Sequence, residues 1–230
     1  SIKLNAQFLQ KAWKSIIPIM NDYYKENRSL IVGGIRYNKF RTKVPQLFSG
    51  ILDSSNRIRF IVDDLKRFFR KEPSGKKDPV DINSVVKTGI ALMKNIIDKS
   101  TRNFQVSYGN NLPRIKGNFQ QLEQVVVNLL ENACHALTSP SKRIFVSVSF
   151  DKKSNRLVVS VEDEGIGIST KDLKFITDPF YTTKRSTGGT GLGLSVSTKI
   201  INEHNGFLEF ESNPGQGTTV KVYFNLEHRE

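Results

Sequence analysis

A helix-like run beginning at Asn118 carries Asn128, Asn132 and His135 at spacings i, i+4 and i+7, which puts the three polar side chains on one helical face. Leu122, Val125, Val126, Leu129, Leu130, Ala133 and Leu137 supply the apolar side of the same helix. Asparagine costs roughly several tenths of a kcal/mol relative to alanine in a helix, so two of them beside a core stripe suggest a shared polar ligand. A solvent-facing polar stripe accounts for the isolated helix equally well. Further on, Asp163-Glu164-Gly165-Ile166-Gly167-Ile168 follows a strand-like run. A carboxylate at a strand end can accept a hydrogen bond from an exocyclic amine, and the glycines allow close approach of backbone to ligand. An ordinary turn has the same composition.

Gly188-Gly189-Thr190-Gly191-Leu192-Gly193-Leu194 opens a helix, where backbone N–H groups and the positive end of the helix dipole make an anion site suited to phosphates. The Walker lysine and the dinucleotide fingerprint in its usual setting are both absent, and a flexible linker has similar glycine content. In Asp178-Pro179-Phe180-Tyr181-Thr182-Thr183-Lys184-Arg185-Ser186-Thr187, the proline and aromatics could anchor a lid whose Lys184 and Arg185 reach phosphate oxygens. The alternative is a plain basic loop. Pro214-Gly215-Gln216-Gly217-Thr218 alone is a hairpin turn.

These segments need a scaffold. From Ile2 to about Glu26, Leu4, Phe8, Leu9, Ala12, Trp13, Ile16, Ile17 and Met20 recur at helical spacing, with Pro18 expected to kink or break the helix. Gly33-Gly34 lies in a loop, and a second helix is predicted over about 39–71, with Pro45 bending its first turns. The pair forms an antiparallel hairpin (1–72) whose apolar stripe calls for a second copy or another domain, most naturally in a four-helix dimer. Turn formers and charge at 73–79 predict a linker. Beyond it, over 80–228, strand-like runs (104–108, 143–150, 156–162, 207–211, 218–224) alternate with helices (about 83–99, 118–137, 192–203). That order predicts an α+β fold, a two-layer sandwich of mostly antiparallel mixed sheet covered by helices. Asn118 with Gln121 resembles a capping box.

The bulk composition narrows the function. With 230 residues, 37% hydrophobic and 25% charged, the chain suits globular folding, and no apolar run approaches the roughly 18 residues of a membrane span. The start does not read as a signal peptide. One cysteine, Cys134, cannot form an internal disulfide, which fits a reducing compartment, the cytoplasm by default. The net charge of +13 raises the question of nucleic acid, but the basic residues are spread through the first hundred positions without a nucleic-acid motif. A solvated helical face docking an acidic protein is favoured over nucleic acid.

In order and spacing, the segments around Asn128–Ala133, Asp163–Gly167, Pro179–Lys184, Gly189–Leu194 and Thr218 resemble the asparagine box and the successive glycine and phenylalanine boxes of the histidine-kinase catalytic domain. That domain belongs to the wider ATPase superfamily shared with gyrase and Hsp90. The resemblance implies a Bergerat-type ATP site. By it, Asp163 binds the adenine amine, while Asn128 and Asn132 hold Mg²⁺ against the triphosphate. Gly165, Gly167, Ile168, Phe180, Thr182, Thr183, Lys184, Gly189, Thr190, Gly191, Leu192, Gly193, Leu194 and Thr218 line the nucleotide. His135 occupies a phosphate-contacting position, and Asn128, His135 and Lys184 serve catalysis.

The same resemblance implies transfer of the ATP γ-phosphate to a histidine and then to an aspartate in a response-regulator receiver domain, with the hairpin as dimerisation and phosphotransfer unit. A neutral amide at position 128 is a poor general base, which favours transfer over hydrolysis. The three histidines are His135, His204 and His228, none in the hairpin. Ser1-Ile2-Lys3-Leu4-Asn5 resembles the stretch that follows the family's His-acidic-Asn-Pro-Leu acceptor, so the chain is expected to begin just beyond the acceptor and not to phosphorylate itself. A hydrolysing superfamily ATPase and a non-catalytic nucleotide-binding scaffold are the alternatives.

Overall fold

The computed structural model describes residues 2–69, 77–184 and 189–226; linker positions 73–76 together with Lys71, Arg185, Gly188 and His228 lie outside them. The chain divides into two compact units, Ser1–Arg67 and Phe68–Glu230. Among the described residues, no helix is long and apolar enough to cross a membrane.

The first unit is a helical hairpin of α1 (Ile2–Glu26) and α2 (Tyr37–Phe69). Their link is a small antiparallel ribbon of β1 (Ile31–Val32) and β2 (Ile35–Arg36), which turns at Gly33-Gly34 and was not predicted. Both helices run unbroken through the prolines expected to disturb them, Pro18 in α1 and Pro45 in α2. Each proline forfeits one backbone hydrogen bond, a local cost that packing across a long amphipathic helix can offset. Packing fixes the closed end: Tyr37 is fully buried, its hydroxyl donates to Asn21 Oδ1 at 2.8 Å, and its ring lies 4.9 Å from that of Tyr24. Trp13 meets Phe40 edge-on at 5.4 Å. Leu4, Phe8, Ile16 and Ile19 on α1 and Leu47, Ile51 and Ile58 on α2 remain exposed.

The second unit opens with β3 (Asp78–Val80), so Asp78 and Pro79, read from composition as the linker's end, pair instead with Gly117 and Lys116 of β5 (Ile115–Gly117). In a two-stranded ribbon both strands are edges, and proline's missing N–H is tolerated there. Next, α3 (Ile82–Ser100) starts at Asp81, whose side chain accepts from the Asn83 N–H. Then come β4 (Asn103–Ser107), α4 (Phe119–Ala136), β6 (Arg143–Asp151), β7 (Arg156–Asp163), α5 (Thr170–Leu173), α6 (Gly193–Glu203), β8 (Gly206–Asn213) and β9 (Gly217–Asn225). The main sheet has the order β4-β6-β7-β9-β8, with β4 parallel to β6 and every other pair antiparallel.

Alternation along β6 and β7 turns Ile144, Val146 and Val148, and Leu157, Val159 and Val161, inward. They meet Val85, Val86 and Met93 of α3, Leu122, Val125 and Leu129 of α4, and Val196 and Ile200 of α6 in one core. At about 1.5–3 kcal/mol per buried large aliphatic side chain, this layer is the main source of stability.

The start of α4 corrects the capping expectation. Asn118 Oδ1 accepts the Gln121 N–H at 3.1 Å, the forward half of a capping box. The reciprocal bond goes elsewhere: the Asn118 N–H donates to His204 Nε2 at 2.9 Å, while His204 Nδ1 lies 2.7 Å from the Ile200 carbonyl. A carbonyl only accepts, so Nδ1 carries the proton and Nε2 is the acceptor, a neutral tautomer. Burial pulls the His204 pKa below its ordinary value, with Lys77 acting in the same direction and the Ile200 bond and Glu203 opposing. The ring thus ties the end of α6 to the start of α4.

His204→Ala leaves the part-buried Asn118 N–H without its partner, while the Ile200 carbonyl keeps the residue 204 backbone N–H, an expected loss of about 1 kcal/mol in denaturant unfolding. A histidine whose folded pKa is depressed gives stability that is present above its unfolded pKa of about 6.5 and is lost as pH falls through the folded value. The difference between parent and His204→Ala should therefore shrink as pH falls below about 6.5; a constant difference would contradict the neutral tautomer.

Candidate functional site

Asp163 ends β7, where the sheet register sets it opposite Thr218 at the start of β9 and Ile144 of β6. Both Asp163 and Thr218 are buried. The carboxylate accepts the Gly165 N–H at 2.8 Å. Burial dominates its titration and raises the pKa to about 6, against the lowering effects of hydrogen bonds from the Gly165 and Thr218 backbones and of the Lys184 charge. Such a group is poised to gain from a ligand that donates a hydrogen bond to its ionised form.

The loop after Asp163 is wedged between two neighbours. Its Ile166 N–H caps the Ala136 carbonyl at the C-terminus of α4 at 2.9 Å, and its Ile166 carbonyl accepts the Gly215 N–H from the β8–β9 turn at 2.7 Å. Ile168 N–H donates to Ser212 Oγ, which also lies 2.9 Å from Thr218 Oγ1. This squeeze explains the glycines. A Cβ on Gly165 would fall 2.5 Å from the Ala136 carbonyl oxygen, and one on Gly167, at φ +67°, would fall 2.0 Å from that of Asn213. On the other side, the Arg143 N–H donates to Glu164 Oε2 and the Glu164 N–H to the Arg143 carbonyl.

Above this floor runs α4. Asn128 Nδ2 donates to the Gly193 carbonyl of α6 at 3.1 Å and to Ser197 Oγ at 3.2 Å. One turn on, the Asn132 carbonyl accepts from Lys184 Nζ at 3.5 Å. Burial lowers the Lys184 pKa, while the Asp163 and Glu131 carboxylates act in the opposite direction. Asn128, Asn132, Asp163, Lys184 and Thr218 are thereby brought to one region. His135 is not joined to it by contact: it is exposed and its ring makes no hydrogen bond among the described residues.

The described residues between Asp178 and Leu194 bond to one another. The Phe180 N–H donates to the Gly191 carbonyl, and the Gly189 N–H to the Lys184 carbonyl. Thr182 Oγ1 accepts the Lys184 N–H, and Thr190 Oγ1 the Leu192 N–H. Leu192 is buried, Leu194 packs on the core, and Thr183 and Phe180 are exposed, Phe180 at a positive φ of 68°. The Tyr181 hydroxyl is anchored to Asp172. Gly193 opens α6, so the glycine-rich run does deliver a helix N-terminus beside Asn128.

Sequence reasoning missed Ser197 and Ser212, which brace the site from α6 and β8. Ser197 lies four residues after Gly193, a helical spacing that could have flagged it; nothing in the sequence singles out Ser212. Magnesium favours hard oxygen donors, and side-chain amides beside a triphosphate are suitable ligands. The donor set fits, since the two nitrogen–hydrogen bonds of the Asn128 amide are engaged with α6 and its oxygen accepts no hydrogen bond among the described residues.

Residues 117–228 match the family model described as histidine kinase-, DNA gyrase B-, and HSP90-like ATPase. The chain is 34% identical over 221 residues to a putative sensor protein of Shewanella frigidimarina, covering 95% of this chain and 33% of that protein. It is 33% identical over 178 residues to the signal transduction histidine-protein kinase AtoS of Escherichia coli, covering 77% of this chain and 28% of the relative. The chain thus spans about a third or less of the length of these curated relatives. Among solved structures, the catalytic domain of histidine kinase ThkA in a nucleotide-free form superposes with a TM-score of 0.55 at 29% identity, over 64% of this chain and 95% of that one. With the sheet, the order of its loops and these likenesses together, residues 117–228 form a domain of the histidine kinase-, DNA gyrase B- and HSP90-like ATPase family, and the relatives and structures the chain resembles include histidine kinases.

Proposed function

We propose that this chain is the ATP-binding catalytic portion of a sensor histidine kinase. The buried, charge-strained Asp163 beneath the amide-bearing α4 carries the proposal. Its carboxylate would accept the adenine amine, with Thr218 beside it. The Gly189–Leu194 run and the N-terminus of α6 would receive the phosphates, and Lys184 would answer their charge. Asn128 and Asn132 would hold Mg²⁺, which supplies neutralisation of charge on the transferring phosphoryl group. Gly165, Gly167 and Ile168 shape the base pocket, while Phe180, Thr182 and Thr183 form the near end of the lid. His135, exposed on α4, would contact phosphate.

The product chemistry follows from what the site lacks. Position 128 is an amide, which cannot take a proton from water as a carboxylate could, so the site favours handing the γ-phosphate to a stronger nucleophile. An imidazole nitrogen attacks the γ-phosphorus, and the bond to the ADP oxygen breaks. The phosphate then passes to a receiver-domain aspartate of a response regulator. The exposed apolar residues of α1 and α2 support homodimerisation through the hairpin as a four-helix bundle. Consumption of ATP and the free thiol of Cys134 fit a cytoplasmic setting.

Asp163→Asn should cut affinity for a non-hydrolysable ATP analogue by at least about a hundredfold in calorimetry, because the neutral amide cannot replace the ionised acceptor. The same substitution should stabilise the ligand-free protein. Asp163 has a folded pKa of about 6, raised above its unfolded value, so its stability contribution is full below about pH 3.8 and is lost as pH rises through about 6. At pH 7 the asparagine variant should gain on the order of 1 kcal/mol in denaturant unfolding. Unimpaired binding by Asp163→Asn would refute the adenine role.

Given γ-labelled ATP and Mg²⁺, the 230-residue chain should release little phosphate and label none of its own histidines. Rapid multiple-turnover release of phosphate would instead favour a hydrolysing ATPase, and absence of nucleotide binding by folded protein a scaffold.

A further inference from the structure

We propose that Ser197, together with the Gly193 carbonyl, is a positioning device that locks the Asn128 amide with its oxygen turned toward the magnesium of bound nucleotide; this rests on the nucleotide-site proposal above. Ser197 is fully buried in α6 and has no place in the family's motifs as read from the sequence.

The orientation follows from donor and acceptor counting. The Gly193 carbonyl accepts and cannot donate, so the amide end 3.1 Å away must be nitrogen. The Ser197 hydroxyl spends its own proton on that same carbonyl at 2.9 Å and therefore meets Asn128 Nδ2 as an acceptor at 3.2 Å. Both hydrogens of the amide are then engaged. A flipped amide would set its oxygen against the Gly193 carbonyl, acceptor against acceptor. The oxygen is left as an oriented hard donor, which suits Mg²⁺, an ion that demands well-placed oxygen ligands.

Asn132 differs: its side chain makes no hydrogen bond among the described residues. One ligand of the pair is thus fixed before nucleotide arrives, and the other adjusts to it. The brace comes from α6, whose N-terminus is also the proposed phosphate end of the site. Ion and phosphate positions are therefore set by the same helix.

Calorimetry of the full chain with a non-hydrolysable ATP analogue, with Mg²⁺ and with chelator, tests the inference. In Ser197→Ala, affinity in Mg²⁺ should fall about tenfold, near the worth of one lost hydrogen bond, while affinity in chelator stays within about twofold. Equal losses with and without Mg²⁺, or no loss in either, would overturn it, the first showing only a packing role. Parent protein that binds the analogue with no gain from Mg²⁺ would keep the nucleotide site but remove Asn128 as a metal ligand, and this inference with it. A second readout needs no variant: the Asn128 side-chain amide protons should exchange slowly in parent protein by NMR, and rapid exchange would contradict the lock.

Discussion

The burial of one carboxylate governs the rest of the site. Asp163 lies at the end of a central strand, out of water, where an ionised group is costly. That cost is tolerable only with donors close by, and close donors demand a backbone that can fold tightly around the group. The Gly165 and Thr218 backbones supply them. The loop can reach its place only because Gly165 clears the end of α4 and Gly167 clears the β8–β9 turn. The α4 amides are thereby held over the same floor, because the Ile166 N–H caps the last turn of the helix that carries them.

The second constraint is the coupling of α4 to α6 at two points. Near the site, Asn128 is bonded to Gly193 and Ser197. At the far end, His204 joins the close of α6 to the opening of α4. Two attachments along one helix pair resist both sliding and rotation, so the phosphate-binding helix terminus keeps a fixed distance from the amide ligands. The described residues between Phe180 and Gly191 are held by the Phe180–Gly191 and Gly189–Lys184 backbone bonds, by Tyr181 on Asp172 and by Lys184 on the Asn132 carbonyl.

Much of this was legible in the sequence because helical and strand periodicities are strong where one face is buried. The helices around 83–99 and 118–137 and the strand runs at 143–150 and 156–162 appear in the structure within one or two residues of where periodicity put them. The boxes could be recognised because glycines and asparagines at fixed intervals have few structural reasons to coincide. What stayed hidden were features set by tertiary partners. The β3–β5 ribbon is too short to show alternation, and its Pro79 reads as linker. Nothing local announces that His204 rather than Gln121 satisfies the Asn118 N–H, since the two lie 86 residues apart. Ser197 looks like any helical serine until α6 is laid against α4.

The electrostatics of the ligand-free protein point in one direction. Burial holds Asp163 above the usual carboxylate range and Lys184 below the usual amine range, so each resists its charged form. Their opposite charges partly offset that cost. On the proposed function, a nucleotide brings a hydrogen-bond donor to Asp163 at its base and negative charge to Lys184 at its phosphates. Each group is then stabilised in its ionised state by a different end of the same ligand. Binding relieves two desolvation costs already built into the fold, and it should draw Lys184 from the Asn132 carbonyl toward the phosphates, leaving the α4 face open to the ion.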